Sequence, residues 1–520
     1  MARRAERRAR READVDSLKE DMEQKKYKLP LVFLSLIFWV FIFINISGDF
    51  VNFGGDSSQY IILAESLARG TGYHAINQPG SPSFFYYPPV FPLIISPIIY
   101  FFGRNFYLMY LLIAVFGYLS LIFLYYFFKT QAGRDIAFFS TAYLALNNIF
   151  IFYSSGVILS EIPYLFFSSF ALYAAHKYFY APVCFGKEAI LLILGLIAAY
   201  LTRYIGIVLF PATVIFLFFS WDKRKAVFVA SSFIAFFILW QTVIKAGGAS
   251  SSLHYQQLLL IDPYRPFLGN ILTNPGFLLL RFIEGINYYA YLTGSIFLPV
   301  FLKGFWARSF YPPAVFIVII YGVCCDFFGN RSRLLPSYFI FYFLLTVLWP
   351  FKEGVRFLVP ILPFFVYYIF IALKSLTSFL KSQMIARYIF YVPAIFIIFF
   401  SNTPAFPIKQ YAYQDLSKEL KNFIALHLWI KNNIPANSII AGRKPTLTYF
   451  YTGRQALDYP FTLNDEEMKQ FFVDNHVDYV IIDEFSQETR SYLLPFLKKY
   501  NRSFKLTYRV GNTLLLEKIK

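Results

Sequence analysis

The sequence predicts a polytopic α-helical membrane protein of about eleven transmembrane helices, followed by a small extracytoplasmic α/β domain. Three observations predict it. The chain of 520 residues is 58% hydrophobic and 15% charged, with mean hydropathy +0.51, and a soluble protein of this length cannot hide that much apolar surface. The apolar residues gather in repeated runs of spanning length, separated by short basic clusters. From residue 408 onward the pattern changes to amphipathic helices and short strands.

The net charge of +18 lies in those scattered clusters. That placement excludes nucleic acid as the reason for it and suits the cytoplasmic ends of membrane spans. Cys184, Cys324 and Cys325 sit in or beside apolar runs, so no disulfide framework is implied.

In chain order, residues 1–30 read as a basic cytoplasmic tail. "LVFLSLIFWVFIFINIS" follows without a small-residue cleavage site, and reads as a retained anchor. Residues 31–405 form the membrane domain. Further spans are expected at 105–128, 134–152, 161–180, 187–201, 204–220, 224–244, 309–328, 333–350, 355–373 and 386–401. Runs 88–102 and 277–302 are ambiguous, and loop charge arbitrates. "KTQAGR", "WDKRK", "GNRSR" and "KSLTSFLKSQMIAR" are basic and belong in the cytoplasm. Parity then keeps the proline-broken segment 86–103 at the outer interface, inside a first outer loop of residues 48–104. It makes 277–302 an outer-face or re-entrant element and leaves 351–357 outside. The count is about eleven spans, or about thirteen if both ambiguous runs cross, with the C-terminus outside. Residues 406–520 read as helix, strand, helix, strand and terminal hairpin, with no Gly-rich phosphate loop.

Four polar features fall on the outer side. Asp56 opens "DSSQYIILAESLARG"; with Gln59 it fits a capping box, and a helix N-terminus also holds a carboxylate ionised, the state a general base needs. Glu161, in "SEIPYLFF", is an ordinary first-turn residue after a capping Ser160, yet acids at membrane depth are costly and often mark function. Arg203 and Tyr204 stand at an outer turn, where the arginine either snorkels or binds phosphate. Glu353 and Arg356, beside Lys352, form a local salt bridge or a second cationic cluster. Tyr60, Tyr86 and Tyr87 add aromatic walls. Together these suit transfer of a sugar from a lipid phosphate: one carboxylate takes the acceptor proton, the second orients the acceptor or stabilises positive charge on the sugar, and arginines hold the leaving phosphate. His74 and His254 are given ordinary polar roles, and no metal ligand is assigned.

The order "GGDSSQYIILAESLARGTGY", "YYPPVFPLIISPIIYFFG", "SEIPYLFF", "LTRYIGIVLFPA" and "KEGVRFLVPILPF" resembles the GT-C superfamily of polyprenyl-phosphate-sugar-dependent glycosyltransferases, in the branch of protein O-mannosyltransferases and lipid A aminoarabinose transferases. The tail "WIKNNIPANSIIAGRKPTLTYFYTGR" is similar to outer-face domains of bacterial members. The resemblance implies an inverting transferase of the bacterial inner membrane, with a polyprenyl-phosphate-linked sugar as donor and a protein, lipid A or glycan as acceptor. It implies Asp56 as the first-loop catalytic acid, Glu161 as the acid of the second outer loop, and Arg203 and Arg356 as basic residues near the donor phosphate. Ser57 stands where many members carry a second acid, and Glu161 where many carry Asp. The competing readings are a transporter or flippase of lipid-linked sugars, which predicts an internal repeat and polar residues deep in spans, and an assembly partner of an envelope machine.

Overall fold

The computed structural model describes residues 27–46, 55–220, 222–247, 270–299, 304–329, 332–401 and 417–519, together with Gly48, Leu260 and Leu302. The tail at 1–26, residues 49–54 of the first loop, His254 and the boundary near 405 lie outside the described residues.

An anchor helix α1 (Tyr27–Asn45) leads to α2 (Asp56–Ala68) and α3 (Val90–Phe102), which pack on each other. Then come α4 (Phe106–Ala132), α5 (Arg134–Leu146), α6 (Asn148–Ser155), α7 (Glu161–Phe179), α8 (Lys187–Thr202), a 3₁₀ turn Tyr204–Val208 running into α9 (Leu209–Phe219), and α10 (Lys223–Ala246). They are followed by α11 (Pro275–Ile296), α12 (Phe305–Phe328), α13 (Leu334–Leu348), a 3₁₀ turn Gly354–Ile361 continuing as α14 (Leu362–Thr377), and α15 (Gln383–Phe400). Each run expected to span is helical. Among the described residues six helices qualify as spans by length and apolarity, or up to seven if a bent pair counts as one. These apolar helices make the chain an integral membrane protein.

Two expectations are refined. Run 134–152 is not one straight helix but α5 and α6, bent by 60°. Asn147 breaks it: its backbone is extended (φ −80°, ψ 125°) and its side chain accepts from Phe150 N at 3.0 Å, so a local polar bond replaces the helical one. The ambiguous run 277–302 is a 22-residue helix, α11, capped by Asn274 and packed on α12 and α13; it falls outside the six. Helix α3 has 13 residues, about 20 Å at 1.5 Å per residue, short of a ~30 Å hydrocarbon layer.

The bundle has a centre and a rim. Of the most apolar 18-residue stretch, 83% of residues are buried in Gly354–Thr377, against 17% in Tyr27–Asn45, in Lys223–Ala246 and in Gln383–Phe400. The rim helices present Phe33, Leu36, Ile238 and Leu239 outward, as lipid-facing surfaces do. Glycines allow the central helices to touch. A Cβ on Gly322 (α12) would lie 2.1 Å from the Tyr368 carbonyl oxygen of α14, and one on Gly285 (α11) would lie 2.1 Å from that of Val347.

Beyond the bundle, α16 (Lys418–Asn433), β1 (Ile440–Ala441), α17 (Pro445–Thr452), β2 (Ala456–Leu457), α18 (Asp465–Asp474), β3 (Tyr479–Ile482), α19 (Leu494–Lys499), β4 (Phe504–Val510) and β5 (Thr513–Lys518) build a five-stranded sheet of order β2-β1-β3-β5-β4. β1 pairs in parallel with β2 and β3, while β3–β5 and β4–β5 are antiparallel. Phe472, Val480 and Phe496 fill one face, and Leu426, Ile430 and Leu515 the other.

The Gly322 contact yields a test. Gly322→Ala should cost about 1–3 kcal/mol through overpacking, read as a lower thermal unfolding temperature in detergent. Gly48→Ala, with nothing within 4 Å of the added Cβ, should leave that temperature unchanged.

Candidate active site

The site forms where the ends of four segments meet. Gly55, with φ 88°, turns the chain into α2 so that Asp56 is the first helical residue. The capping-box expectation is corrected here: Gly55 holds the N-cap position, and the Asp56 carboxylate faces away from the helix end to other partners. Glu161 is the first residue of α7. Arg203 caps the C-terminus of α8 in an extended conformation (φ −148°, ψ 132°), and the following 3₁₀ turn folds back onto α8. Gly206 permits that fold-back, since a Cβ there would lie 2.7 Å from the Ala199 carbonyl carbon. Arg356 projects from the turn Gly354–Ile361, entered through Gly354 at φ 61°.

These side chains form one connected group. Arg356 Nη2 stands 2.6 Å from Asp56 Oδ2, and its Nε donates to Glu161 Oε1 at 2.6 Å. The same Glu161 oxygen accepts from Arg203 Nη1 at 2.7 Å. Arg203 Nη1 also donates to Ser160 Oγ at 3.1 Å, and Tyr60 Oη lies 2.8 Å from that hydroxyl. At the other end Tyr87 Oη donates to Asp56 Oδ1 at 2.5 Å. Two acids thus meet two arginines, so the group is neutral as a set. The local Glu353–Arg356 pair exists at 3.7 Å, longer than the bonds Arg356 makes to Asp56 and Glu161. Ser160 does not cap α7; its hydroxyl joins Tyr60 to Arg203 instead.

A cavity of about 400 Å³ opens beside the group. Asp56, Tyr60, Tyr86, Tyr87, Arg203, Tyr204, Glu353 and Arg356 all line it. Tyr60 and Tyr87 stack edge to face at 4.9 Å, and Tyr204 Oη donates to the Phe85 carbonyl at 2.6 Å, which holds the aromatic segment in place. The two acids take different positions. The Asp56 side chain is 26% exposed and faces the cavity. Glu161 is 0% exposed and sits behind both arginines. Sequence reasoning missed the far wall, where Tyr342, Thr346 and Trp349 complete the lining; these residues are indistinguishable by type from their neighbours in an apolar run. Ser160 was read as a cap because a serine before a helix is a common capping residue.

Burial favours the protonated form of Asp56. The Arg356 charge and the Tyr87 and Arg356 hydrogen bonds outweigh it and hold the carboxyl below the usual aspartate range. The group is therefore ionised wherever the protein is folded near neutral pH. His74 Nδ1 lies 3.0 Å from the Ser81 carbonyl, a local loop contact. Among the described residues no group of three or more His, Cys, Asp or Glu stands together; the cation joining Asp56 to Glu161 is the Arg356 guanidinium.

Comparison with known proteins points to one fold. A model of the dolichyl-phosphate-mannose-protein mannosyltransferase family matches residues 34–245. The archaeal oligosaccharyltransferase AglB from Archaeoglobus fulgidus, solved in complex with an inhibitory peptide and a dolichol-phosphate, is similar at 13% identity and TM-score 0.54, over 88% of this chain and 69% of its own. ArnT from Cupriavidus metallidurans, solved bound to undecaprenyl phosphate, is similar at 12% identity and TM-score 0.55, over 94% of this chain and 97% of its own. No curated protein sequence matches. At these identities the likeness is one of architecture: the chain has the GT-C fold.

The shared arginine makes stability depend on pH. Asp56 has a folded pKa below its unfolded value, about 3.9. Its contribution is fully present above that value and is lost as pH falls through the lower folded value. Arg356→Gln, which leaves Asp56 without an arginine partner while Glu161 keeps Arg203, should destabilise by about 3–5 kcal/mol at pH 7. The gap to wild type, measured by denaturant unfolding, should narrow below about pH 4. A gap independent of pH means that Arg356 does not stabilise through the ionised Asp56.

Proposed function

We propose that this chain is a GT-C glycosyltransferase. It moves a sugar from a polyprenyl-phosphate carrier to an acceptor on the extracytoplasmic side of the membrane, with inversion at the anomeric carbon and Asp56 as general base. The observation that carries this reading is the Asp56 carboxylate, ionised and facing an aromatic-lined cavity, tied through one guanidinium to a buried second acid.

The chemistry follows from the charges. An acceptor hydroxyl or amine beside Asp56 gives up its proton to the carboxylate as its lone pair bonds to the anomeric carbon. The bond from that carbon to the phosphate oxygen breaks, and the electron pair leaves with the polyprenyl phosphate. A phosphate leaves as a stable anion, so no general acid is needed. Before reaction the acids and arginines balance. When Asp56 becomes neutral, Arg356 is left with charge to spare, at the moment the departing phosphate gains negative charge. Base and phosphate clamp are thereby coupled through one side chain. Glu161, buried behind the arginines, fixes where their guanidinium groups point and acts as a positioning residue.

The aromatic walls suit a sugar ring, and the lipid-facing bundle suits a prenol tail. The relatives solved with dolichol-phosphate and undecaprenyl phosphate support the donor class. The similarity to mannosyltransferases and to AglB favours transfer over transport. The N-terminus is assigned to the cytoplasm and the sheet domain to the opposite side, in a bacterial inner membrane.

Mass spectrometry of envelope lipids, glycans and glycoproteins from cells with and without the protein should reveal a species lacking one sugar. Complementation with Asp56→Asn should leave transfer about 100-fold lower or worse while the protein remains in the membrane. Full transfer by both Asp56→Asn and Glu161→Gln removes the catalytic assignment. For topology, cysteines at Thr130 and Lys498 should label from opposite sides of the membrane; labelling from one side overturns the threading.

A further inference from the structure

The peptide that precedes Asp56 is held from a distant part of the chain. The Gly55 carbonyl accepts the first helical bond of α2, from Gln59 N at 3.0 Å. It also accepts from Ser58 Oγ at 2.7 Å and from Thr446 Oγ1 at 3.2 Å, the latter 391 positions away. Ser58 Oγ lies 2.9 Å from Thr446 Oγ1, so the two hydroxyls and the carbonyl close a small ring. Ser58 is fully buried, and Thr446 stands directly over Gly55: a Cβ there would meet Thr446 Oγ1 at 3.6 Å, ordinary contact distance.

Thr446 is the second residue of α17, and that helix packs on α2. At its other end Arg104 pairs with Glu65 of α2, donates to the Phe450 carbonyl at 3.0 Å and sits over the Phe450 ring at 4.6 Å. Just beyond, Ala456 N donates to the Asn77 carbonyl at 2.8 Å. On its far side α17 is fixed to the sheet domain through Thr448, whose hydroxyl lies 3.0 Å from His427 Nε2. Both ends of the helix that carries Asp56 are therefore braced by one short helix of the C-terminal domain.

We propose that Thr446 is a positioning residue for sugar transfer, and that through it the C-terminal α/β domain sets where the Asp56 carboxylate stands in the cavity. The proposal rests on the reading of Asp56 as general base. Thr446 does not line the cavity. It acts on the turn, where Gly55 at φ 88° has no side chain of its own to fix it. Displacing a general base by a fraction of an ångström costs rate rather than affinity, because alignment matters most in the transition state.

The test uses the full-length protein. Thr446→Val keeps the shape of the side chain and removes the hydroxyl. Sugar transfer, read by mass spectrometry in complemented cells, should fall by roughly tenfold or more, while binding of undecaprenyl phosphate to the purified variant stays at the wild-type level. Thr446→Ser should restore transfer. Ser58→Ala removes a hydroxyl from the same ring within α2, and should lower transfer in the same way should Thr446→Val fail to fold. Wild-type transfer by Thr446→Val and Ser58→Ala overturns the proposal. So does an equal loss by Thr446→Ser, or a loss of transfer matched by a loss of undecaprenyl phosphate binding. A wild-type protein that transfers no sugar defeats the glycosyltransferase reading instead, and is told apart by that control.

Discussion

One guanidinium organises this protein. Arg356 bonds to Asp56 and to Glu161, acids that lie about a hundred residues apart in the chain and on different helices. A carboxylate withdrawn from water without a partner is strongly penalised, and so is an unpaired guanidinium. Asp56, Glu161, Arg203 and Arg356 balance one another, with Glu353 farther from Arg356 at 3.7 Å. Any arrangement of helix ends that separates them leaves a charge exposed to a low-dielectric interior. The meeting of α2, α7, the Arg203 turn and the turn that opens α14 is thus under electrostatic as well as packing control.

The fold delivers these ends by a consistent device. Asp56, Glu161, Arg203 and Arg356 each stand at the first position of a helix, at its cap or in a tight turn. Helix ends are where the backbone leaves its regular path, so a side chain can reach inward without breaking a ladder of hydrogen bonds. Gly55, Gly206 and Gly354 supply the turns, two through positive φ and one through close backbone approach. The helix bodies meanwhile remain apolar and are packed through aromatic rings and glycine contacts, such as Gly322 against Tyr368. Helix bodies packed through apolar contacts, with polar ends, give a site that is fixed in place yet open on a cavity.

The C-terminal domain belongs to this design. Its helix α17 bonds to the turn before Asp56 and, through Arg104, to the far end of α2. The first loop is therefore held between the bundle and the sheet domain. Loops at a membrane surface have few apolar contacts to hold them, and a second domain can supply the missing restraint.

Much of this was legible in the chain. Hydropathy located the helical segments, since burial in lipid demands continuous apolar runs. Charge and position singled out Asp56, Glu161, Arg203 and Arg356, because such residues are rare in so apolar a sequence. The alternation of helix and strand after residue 408 predicts a small sheet domain, and a five-stranded sheet stands there. Local roles are the least legible: Asp56 and Ser160 suit helix caps by residue type, yet partners distant in the chain claim both. Tyr342, Thr346 and Thr446 carried no signal, being ordinary residues whose importance lies in what they face. What the sequence by itself determined is which segments are helical and which residues carry charge, properties of local composition. Only the tertiary structure decided which acid opens on the cavity and which is buried, and that one arginine serves both, because pairing between helix ends depends on how the spans pack, and packing is not written in any one stretch.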